Sequence, residues 1–363
     1  MKNFTLLLLL LSAVGFAQIP AGYYNSASGL TGYPLKSELR NIIENGHTDQ
    51  GYSALFNLYD TSDNDTYYPN QGEGITDQTT TIVDMYSENP TGTDPYNFTF
   101  TDRCGNVSSN EGFCYNREHV FPQGRFNSRT PMRTDAHHVI PTDGQVNGRR
   151  SSFPFGEVNS PTFTSRNGSK VGPNTTAGFS TTVFEPIDEF KGDIARMLLY
   201  FATRYENEYD DSTWDSPTAL NDPRDGSQGQ YYEQWYVDLL LSWHNADPVS
   251  QKEIDRNNDI YVYQGNRNPY VDNPQYVNMI WTTTASNEDV LLSNISIYPN
   301  PSTGTFYIKD AGIAIENISI FDISGRQLKL QLDNNQFRIN STGIFIVRLR
   351  NGDQSKSFKV IVN

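Results

Sequence analysis

The sequence predicts an α+β domain built round a ββα core, followed by a small all-β sandwich domain. Three observations lead there. Two extended segments, "YNREHVFP" (115–122) and "AHHVIP" (136–141), run into "DGQVNGRR" (143–150), where Asp143 or Gly144 opens a short helix. Elsewhere before residue 282, apolar residues recur at helical spacing. Beyond residue 293 the texture changes to short alternating strands. A chain of 363 residues is comfortable for two such domains.

Taken in order, residues 1–17 read as a signal peptide. Lys2 supplies the positive start, Phe4–Val14 the apolar run, and Gly15-Phe16-Ala17 the small-residue cleavage site. The run is too short to span a bilayer, and no later stretch is apolar enough. The first domain occupies 18–281. Leu35, Leu39, Ile42 and Ile43 place an amphipathic helix within Leu35–Tyr59. "TTTIVDMYS" (79–87) reads as a strand, and 157–182 as a Gly/Ser/Thr/Asn loop. Ile194, Leu198 and Phe201 share one face of a helix over 187–207. A second helix covers 231–242, and "QGNRNPYVDNP" (264–274) reads as a polar loop. Residues 282–293 form a linker to the domain at 294–363. There, in "GIFIVRLR", Phe345, Val347 and Leu349 alternate with Ile346, Arg348 and Arg350. Turns fall at 324–325 and 351–352.

The formal charge is −15, unevenly spread. Residues 294–363 carry eight Lys/Arg against five Asp/Glu, so the rest holds 19 basic and 37 acidic groups, net −18. That argues against broad attraction to nucleic acid or anionic membranes. A nucleic-acid site must be a local basic patch. Residues 115–150 are such a patch: Arg117, Arg125, Arg129, Arg133, Arg149 and Arg150 face only Glu118, Asp135 and Asp143. All six cations are arginines, whose planar fork suits phosphate. The two cysteines, Cys104 and Cys114, can close a small loop in an exported protein, stabilising it by about 2–3 kcal/mol. Two unpaired buried thiols are the alternative, and two cysteines alone cannot complete a four-ligand zinc site.

Three of the five histidines, His119, His137 and His138, fall inside the basic patch. Phosphodiester hydrolysis needs a hard divalent cation on oxygen ligands and a neutral imidazole to take a proton from water. Glu118 can supply a metal oxygen, His119 the base, and Asn147, one turn inside the short helix, a second oxygen. Adjacent strand residues face opposite sides. Glu118 and His119 reach one phosphate only if the strand ends or twists there, which Pro122 favours. By the same rule only one of His137 and His138 can stand behind the site. The loop carrying Arg267 either lines the cleft or holds turns.

The first domain resembles the bacterial endonuclease I family of ββα-metal nucleases. The resemblance rests on "YNREHVFP", "TDAHHVIPTDGQVNGRRSSFPFGEV" (134–158), "FEPIDEFKGDIAR" (184–196) and "DPVSQKEIDRNNDIYVYQGNRNPYVD" (247–272). It implies an Mg²⁺-dependent endonuclease, with Mn²⁺ or Ca²⁺ as substitutes, acting on DNA and, as a wider possibility, RNA. It implies His119 as general base, Glu118 and Asn147 as metal ligands, and Arg150 near the phosphate or stabilising the site. One of Arg117, Arg129 or Arg133 then contacts the scissile phosphate, with Arg149 and Arg267 as further substrate contacts. The cysteine pair braces the first strand. The segments "ISIYPNPSTGTFYI", "ISIFDISGRQL" and "STGIFIVRLRNGDQSKSFKVIV" resemble the C-terminal sorting domain of type IX secretion substrates. That implies the type IX machinery as partner and a secreted or cell-surface monomer that crosses the periplasm.

Two other readings compete. A surface adhesin or glycan-binding protein assigns no joint role to Glu118, His119 and Asn147. A zinc hydrolase lacks the His-x-x-x-His spacing of a metalloprotease helix. With a histidine at its reference pKa as base, the nuclease reading predicts activity that falls as pH drops through roughly 6.

Overall fold

The buried face of the first helix, α1 (Gly32–Glu44), is Leu35, Leu39 and Ile43, one turn apart in each case, all fully enclosed. The computed structural model describes residues 19–68, 80–104, 110–208, 222–282, 295–309, 317–322, 326–328, 335–351 and 354–363. The expected signal peptide, nearly all of the linker, the turn at 324–325 and the second residue of the turn at 351–352 lie outside the described residues. The chain separates into two units, through Trp281 and from Thr282.

In the first unit the amphipathic segment makes two helices, α1 and α2 (Leu55–Ser62). The central ribbon pairs β1 (Tyr115–His119) with β2 (Val139–Asp143) antiparallel, Tyr115 opposite Asp143 and His119 opposite Val139. Helix α3 (Gly144–Arg150) follows β2 without a break, giving the expected ββα order. Strands β3 (Phe163–Thr164), β4 (Lys170–Pro173) and β5 (Thr182–Glu185) form a separate antiparallel sheet from the segment read as a loop. Helix α4 (Lys191–Arg204) is buried from Gly192 onward and forms the spine of the core. Its Phe201 stacks on Phe121, ring centroids 4.1 Å apart. Helices α5 (Gln234–Ala246) and α7 (Pro269–Asp272) pack on it, α6 (Gln251–Gln264) joins it through ion pairs, and α8 (Gln275–Trp281) packs on α1, α5 and α7.

Several elements differ from expectation. Of the strand expected over 79–87, residues 80–87 are described and form none: Thr81 and Ile82 make only isolated bridges. The Asp84 carboxylate accepts the Tyr86 N–H and the Ser87 hydroxyl, and its carbonyl accepts from Ser87 and Glu88. A side chain that satisfies its own backbone makes a turn there. The helix expected over 187–207 starts only at Lys191, after a 3₁₀ turn at Asp188–Phe190. The one expected over 231–242 runs Gln234–Ala246. The polar loop contains α7, whose first turn is capped by the Asn268 side chain with Pro269 at the first position.

Helix α6, not expected, is defined at both ends. Ser250 and Glu253 form a reciprocal capping box, and Gly265 closes it with φ 85°, a backbone conformation that suits glycine. Glu253 also receives the guanidinium of Arg196 on α4, Nε at 2.5 Å and Nη2 at 2.8 Å, while Lys252 pairs with Asp193. All four side chains are nearly sealed from solvent.

The second unit is two antiparallel sheets. One orders β10 (Gln336–Arg338), β7 (Thr305–Lys309) and β6 (Ser296–Tyr298). The other orders β12 (Gln354–Val362), β11 (Gly343–Asn351), β8 (Asn317–Asp322) and β9 (Gln327–Leu328). Phe345, Val347 and Leu349 are buried and Arg348 is exposed, as the alternation required. Among the described residues no helix is long and apolar enough to cross a membrane.

Because Glu253 serves the cap and the ion pair together, Glu253→Ala strands the buried Arg196. It should destabilise the first unit by about 3–5 kcal/mol, measured by urea unfolding.

Candidate active site

The ribbon ends where the site begins. Among the described residues β1 pairs only with β2 past Tyr115, so no strand is found on its other edge, and His119 is its last residue. A cavity of about 410 Å³ lies along this edge and end, lined by Asn116, Arg117, Glu118, His119, Asn147 and Arg150 among others. Consecutive residues therefore reach one space because the cavity wraps the strand terminus.

Asp143 fixes α3 against the ribbon. One carboxylate oxygen accepts from the N–H groups of Gln145 and Val146, at 2.7 and 2.9 Å, and the other from Gly112 at 2.8 Å. Its own N–H donates to Asp84. Burial first, and then repulsion from the neighbouring Asp143 carboxylate, push Asp84 up to about 7. The capped helix presents Asn147 and Arg150, three apart on one face. Asn147 Nδ2 donates to Asn116 Oδ1 at 2.7 Å, and among the described residues no hydrogen bond is found to the Asn147 amide oxygen. Arg150 is 1% exposed. Its Nη1 donates to the His119 carbonyl and lies 3.3 Å from Glu118 Oε1, and its Nη2 donates to the Val120 carbonyl. The Tyr86 hydroxyl donates to the same Glu118 oxygen at 3.0 Å. Burial raises the Glu118 carboxyl, while Arg150 and Tyr86 pull it back.

His119 Nε2 lies 3.1 Å from the Arg133 carbonyl. A carbonyl only accepts, so Nε2 carries the proton and Nδ1 keeps the lone pair. Burial, then His138 and the charges of Arg133 and Arg117, push the imidazole down to about 3. It is neutral well below pH 6, lower than an ordinary histidine would be. His138 sits behind it, ring centroids 6.0 Å apart, with Nε2 donating to the Met132 carbonyl. His137 points the other way, against Tyr200 and the Asn266 carbonyl. The adjacency rule thus separates the two.

Of the expected substrate arginines, Arg117 lines the cavity. Arg133 packs its guanidinium on Tyr52, 4.2 Å from the ring centroid, and Tyr52 lines the cavity too. Arg129 pairs with Glu208 at 3.6 Å and Arg149 lies over Phe163; these two, like Arg133, are outside the cavity lining itself. Arg267 is corrected from a substrate contact to a turn-holding residue. It is 1% exposed and donates to both oxygens of Asp272 and to Asn258. Cys104 and Cys114 are joined in a disulfide that closes the loop before β1. Sequence reasoning missed Tyr52, Tyr86 and Asn116. "VDMYS" and "YNREH" already contained the last two.

The donor set fits a hard cation: a buried carboxylate and an oriented amide oxygen share one cavity. A second acidic group, Asp65, Glu88 and Asp94, brings ligand atoms within 4.8 Å of one another, but none of the three lines this cavity.

Residues 31–275 match the family model described as Endonuclease I. The chain belongs to the endonuclease I family. Residues 296–363 match the secretion system C-terminal sorting domain. The chain is 34% identical over 265 residues to the extracellular ribonuclease of Bacillus amyloliquefaciens, covering 71% of this chain and 78% of the relative. It is 34% identical over 262 residues to the extracellular ribonuclease of Bacillus subtilis (strain 168), with the same coverage. Endonuclease-1 of Buchnera aphidicola subsp. Baizongia pistaciae is 29% identical over 140 residues, 39% of this chain and 46% of the relative. As an endonuclease I, the protein is a nuclease with a nucleic-acid substrate, in a family that is metal-dependent in general. Its sorting domain and extracellular relatives mark it as secreted or surface-located.

Removing the α3 cap should disrupt all of this. Asp143→Ala leaves three N–H groups without their acceptor and should cost about 2–4 kcal/mol, read by chemical denaturation. Asp143→Asn can keep the cap bonds to Gln145 and Val146 but not the bond from Gly112, so it should fall between Asp143→Ala and wild type.

Proposed function

We propose that this chain is a secreted, Mg²⁺-dependent endonuclease that cuts DNA and RNA with little regard to sequence, Mn²⁺ or Ca²⁺ being the substitutes to try. One observation carries the reading: Glu118, His119, Asn147 and Arg150 come together in a single open-sided cavity.

Glu118 and the Asn147 amide oxygen would hold the ion. When bound, it would neutralise the scissile phosphate and the developing charge on the leaving oxygen. Arg150 keeps Glu118 in place and ties down the two carbonyls at the strand end. His119 Nδ1, fixed as the lone-pair nitrogen, takes a proton from water as that water attacks phosphorus and the bond to the leaving oxygen breaks. The nucleophile is water rather than a ribose hydroxyl, so this chemistry does not separate DNA from RNA. The relatives named extracellular ribonucleases favour including RNA. Recognition through phosphates alone reads no sequence.

The mature protein should nick supercoiled plasmid and cut single-stranded RNA with Mg²⁺, and chelation should abolish both. His119→Ala should lose about 10²–10⁴-fold in kcat while remaining folded. Equal cleavage by wild type and variant moves the base elsewhere.

The pH profile follows from the depressed imidazole. A base works deprotonated, and a histidine pushed down to about 3 stays deprotonated at pH 5. Its own protonation therefore contributes no acid limb near 6, in contrast to the expectation from a reference histidine. At saturating Mg²⁺, kcat at pH 5 should stay within about threefold of its value at pH 7. A midpoint near pH 6 in kcat argues against buried His119 as the base.

A further inference from the structure

Tyr52 is half-buried in the cavity wall, its ring centroid 5.8 Å from that of His119. The guanidinium carbon of Arg117 is 3.5 Å from the Tyr52 ring centroid, and that of Arg133 is 4.2 Å away. A single ring has room for one guanidinium on each face, and two like charges take opposite faces. The pattern continues outward. Arg117 is also 4.2 Å from the Phe56 ring centroid, and Arg103 is 5.2 Å from the same ring. Arg133, Tyr52, Arg117, Phe56 and Arg103 thus form a column of alternating cations and rings that starts beside His119.

Two further facts bear on what the column is for. Arg125, Arg129, Arg150 and Arg267 each lie against a carboxylate. Among the described residues no such ion pair is found for Arg117 or Arg133. Their Nε–H groups are buried with no protein acceptor. In a domain with so many acidic side chains, two half-buried guanidiniums without a carboxylate are set aside for an anion from outside. Stacking occupies the faces of a guanidinium, and with Nε–H buried it is the remaining Nη–H groups at the edge that can pair with phosphate.

We propose that Tyr52 is a positioning residue that holds Arg117 and Arg133 as a stacked pair, and that the column grips successive phosphates of one nucleic-acid strand on the approach to His119. The inference rests on the nuclease reading and adds to it a substrate track and its direction, from the catalytic histidine through Phe56 to Arg103. Tyr52 acts through the two arginines, and its ring does the holding. The hydroxyl has no part in it. The Arg117 guanidinium is fixed further by its Nη1 donating to the Tyr52 carbonyl at 2.7 Å, a contact that survives any substitution at 52.

The test is steady-state cleavage of one labelled oligonucleotide, as DNA and as RNA, across a salt series by the mature protein. Tyr52→Leu should raise KM about tenfold with kcat within about threefold, and the slope of log kcat/KM against log salt should shrink by about 0.7–0.9, the loss of one phosphate contact. Tyr52→Phe should match wild type within about twofold. Arg133→Gln should reproduce the Tyr52→Leu phenotype, and the double variant should be little worse than either single. A folded Tyr52→Leu protein with wild-type KM and salt slope overturns the proposal, and so does Tyr52→Phe behaving like Tyr52→Leu. Should Tyr52→Leu melt early, Arg133→Gln with an unchanged salt slope overturns it instead. Absence of cleavage by wild type is a different result: it removes the nuclease reading itself.

Discussion

The buried guanidinium of Arg150 is the contact on which the site depends. A two-stranded ribbon that stops at His119 leaves carbonyls without ladder partners, and sealed carbonyls are costly unless something donates to them. Arg150 donates to two of them, His119 and Val120, and with the same fork reaches Glu118. It sits at the last turn of α3, so helix, strand end and carboxylate become one rigid piece. The cap at Asp143 sets the start of that helix and Arg150 anchors its end. Asn147 lies between the two and inherits its position from both.

Much of this was legible in the sequence because it is local. Asp143 as cap, Asn147 one turn inside and the break after His119 all follow from short-range signals. The alternation in "GIFIVRLR" was readable for the same reason. Helix α6 was missed although both of its end signals stood in the sequence. Its apolar positions are sparse, and Ile254 and Val262 face solvent, 39% and 78% exposed, which blurs the periodicity. The strand expected at 79–87 failed because Asp84 competes for its own backbone. Arg267 was ambiguous because a polar loop looks the same whether it lines a cleft or closes on Asp272. Tyr52 had no signal at all, since it meets Arg117 across 65 residues of chain.

The electrostatics resolve an apparent conflict. A net charge of −18 outside the sorting domain repels polyanions at long range. The basic patch acts only at close quarters, where it serves two ends. In the proposed reading Arg117 and Arg133 receive an incoming phosphate, and the same two charges help hold His119 unprotonated. Burial does the larger part of that, so the imidazole is kept neutral by surroundings that also exclude bulk water.

The partner of His119 is a main-chain oxygen. Where a carboxylate orients a catalytic histidine, one substitution can remove the partner and flip the tautomer. Here the orienting atom belongs to Arg133 whatever side chain stands at that position. A side-chain substitution at 133 leaves that carbonyl, and with it the proton on Nε2 and the lone pair on Nδ1, in place. The tautomer of this imidazole is thus set by the path of the main chain and not by the identity of a neighbouring side chain.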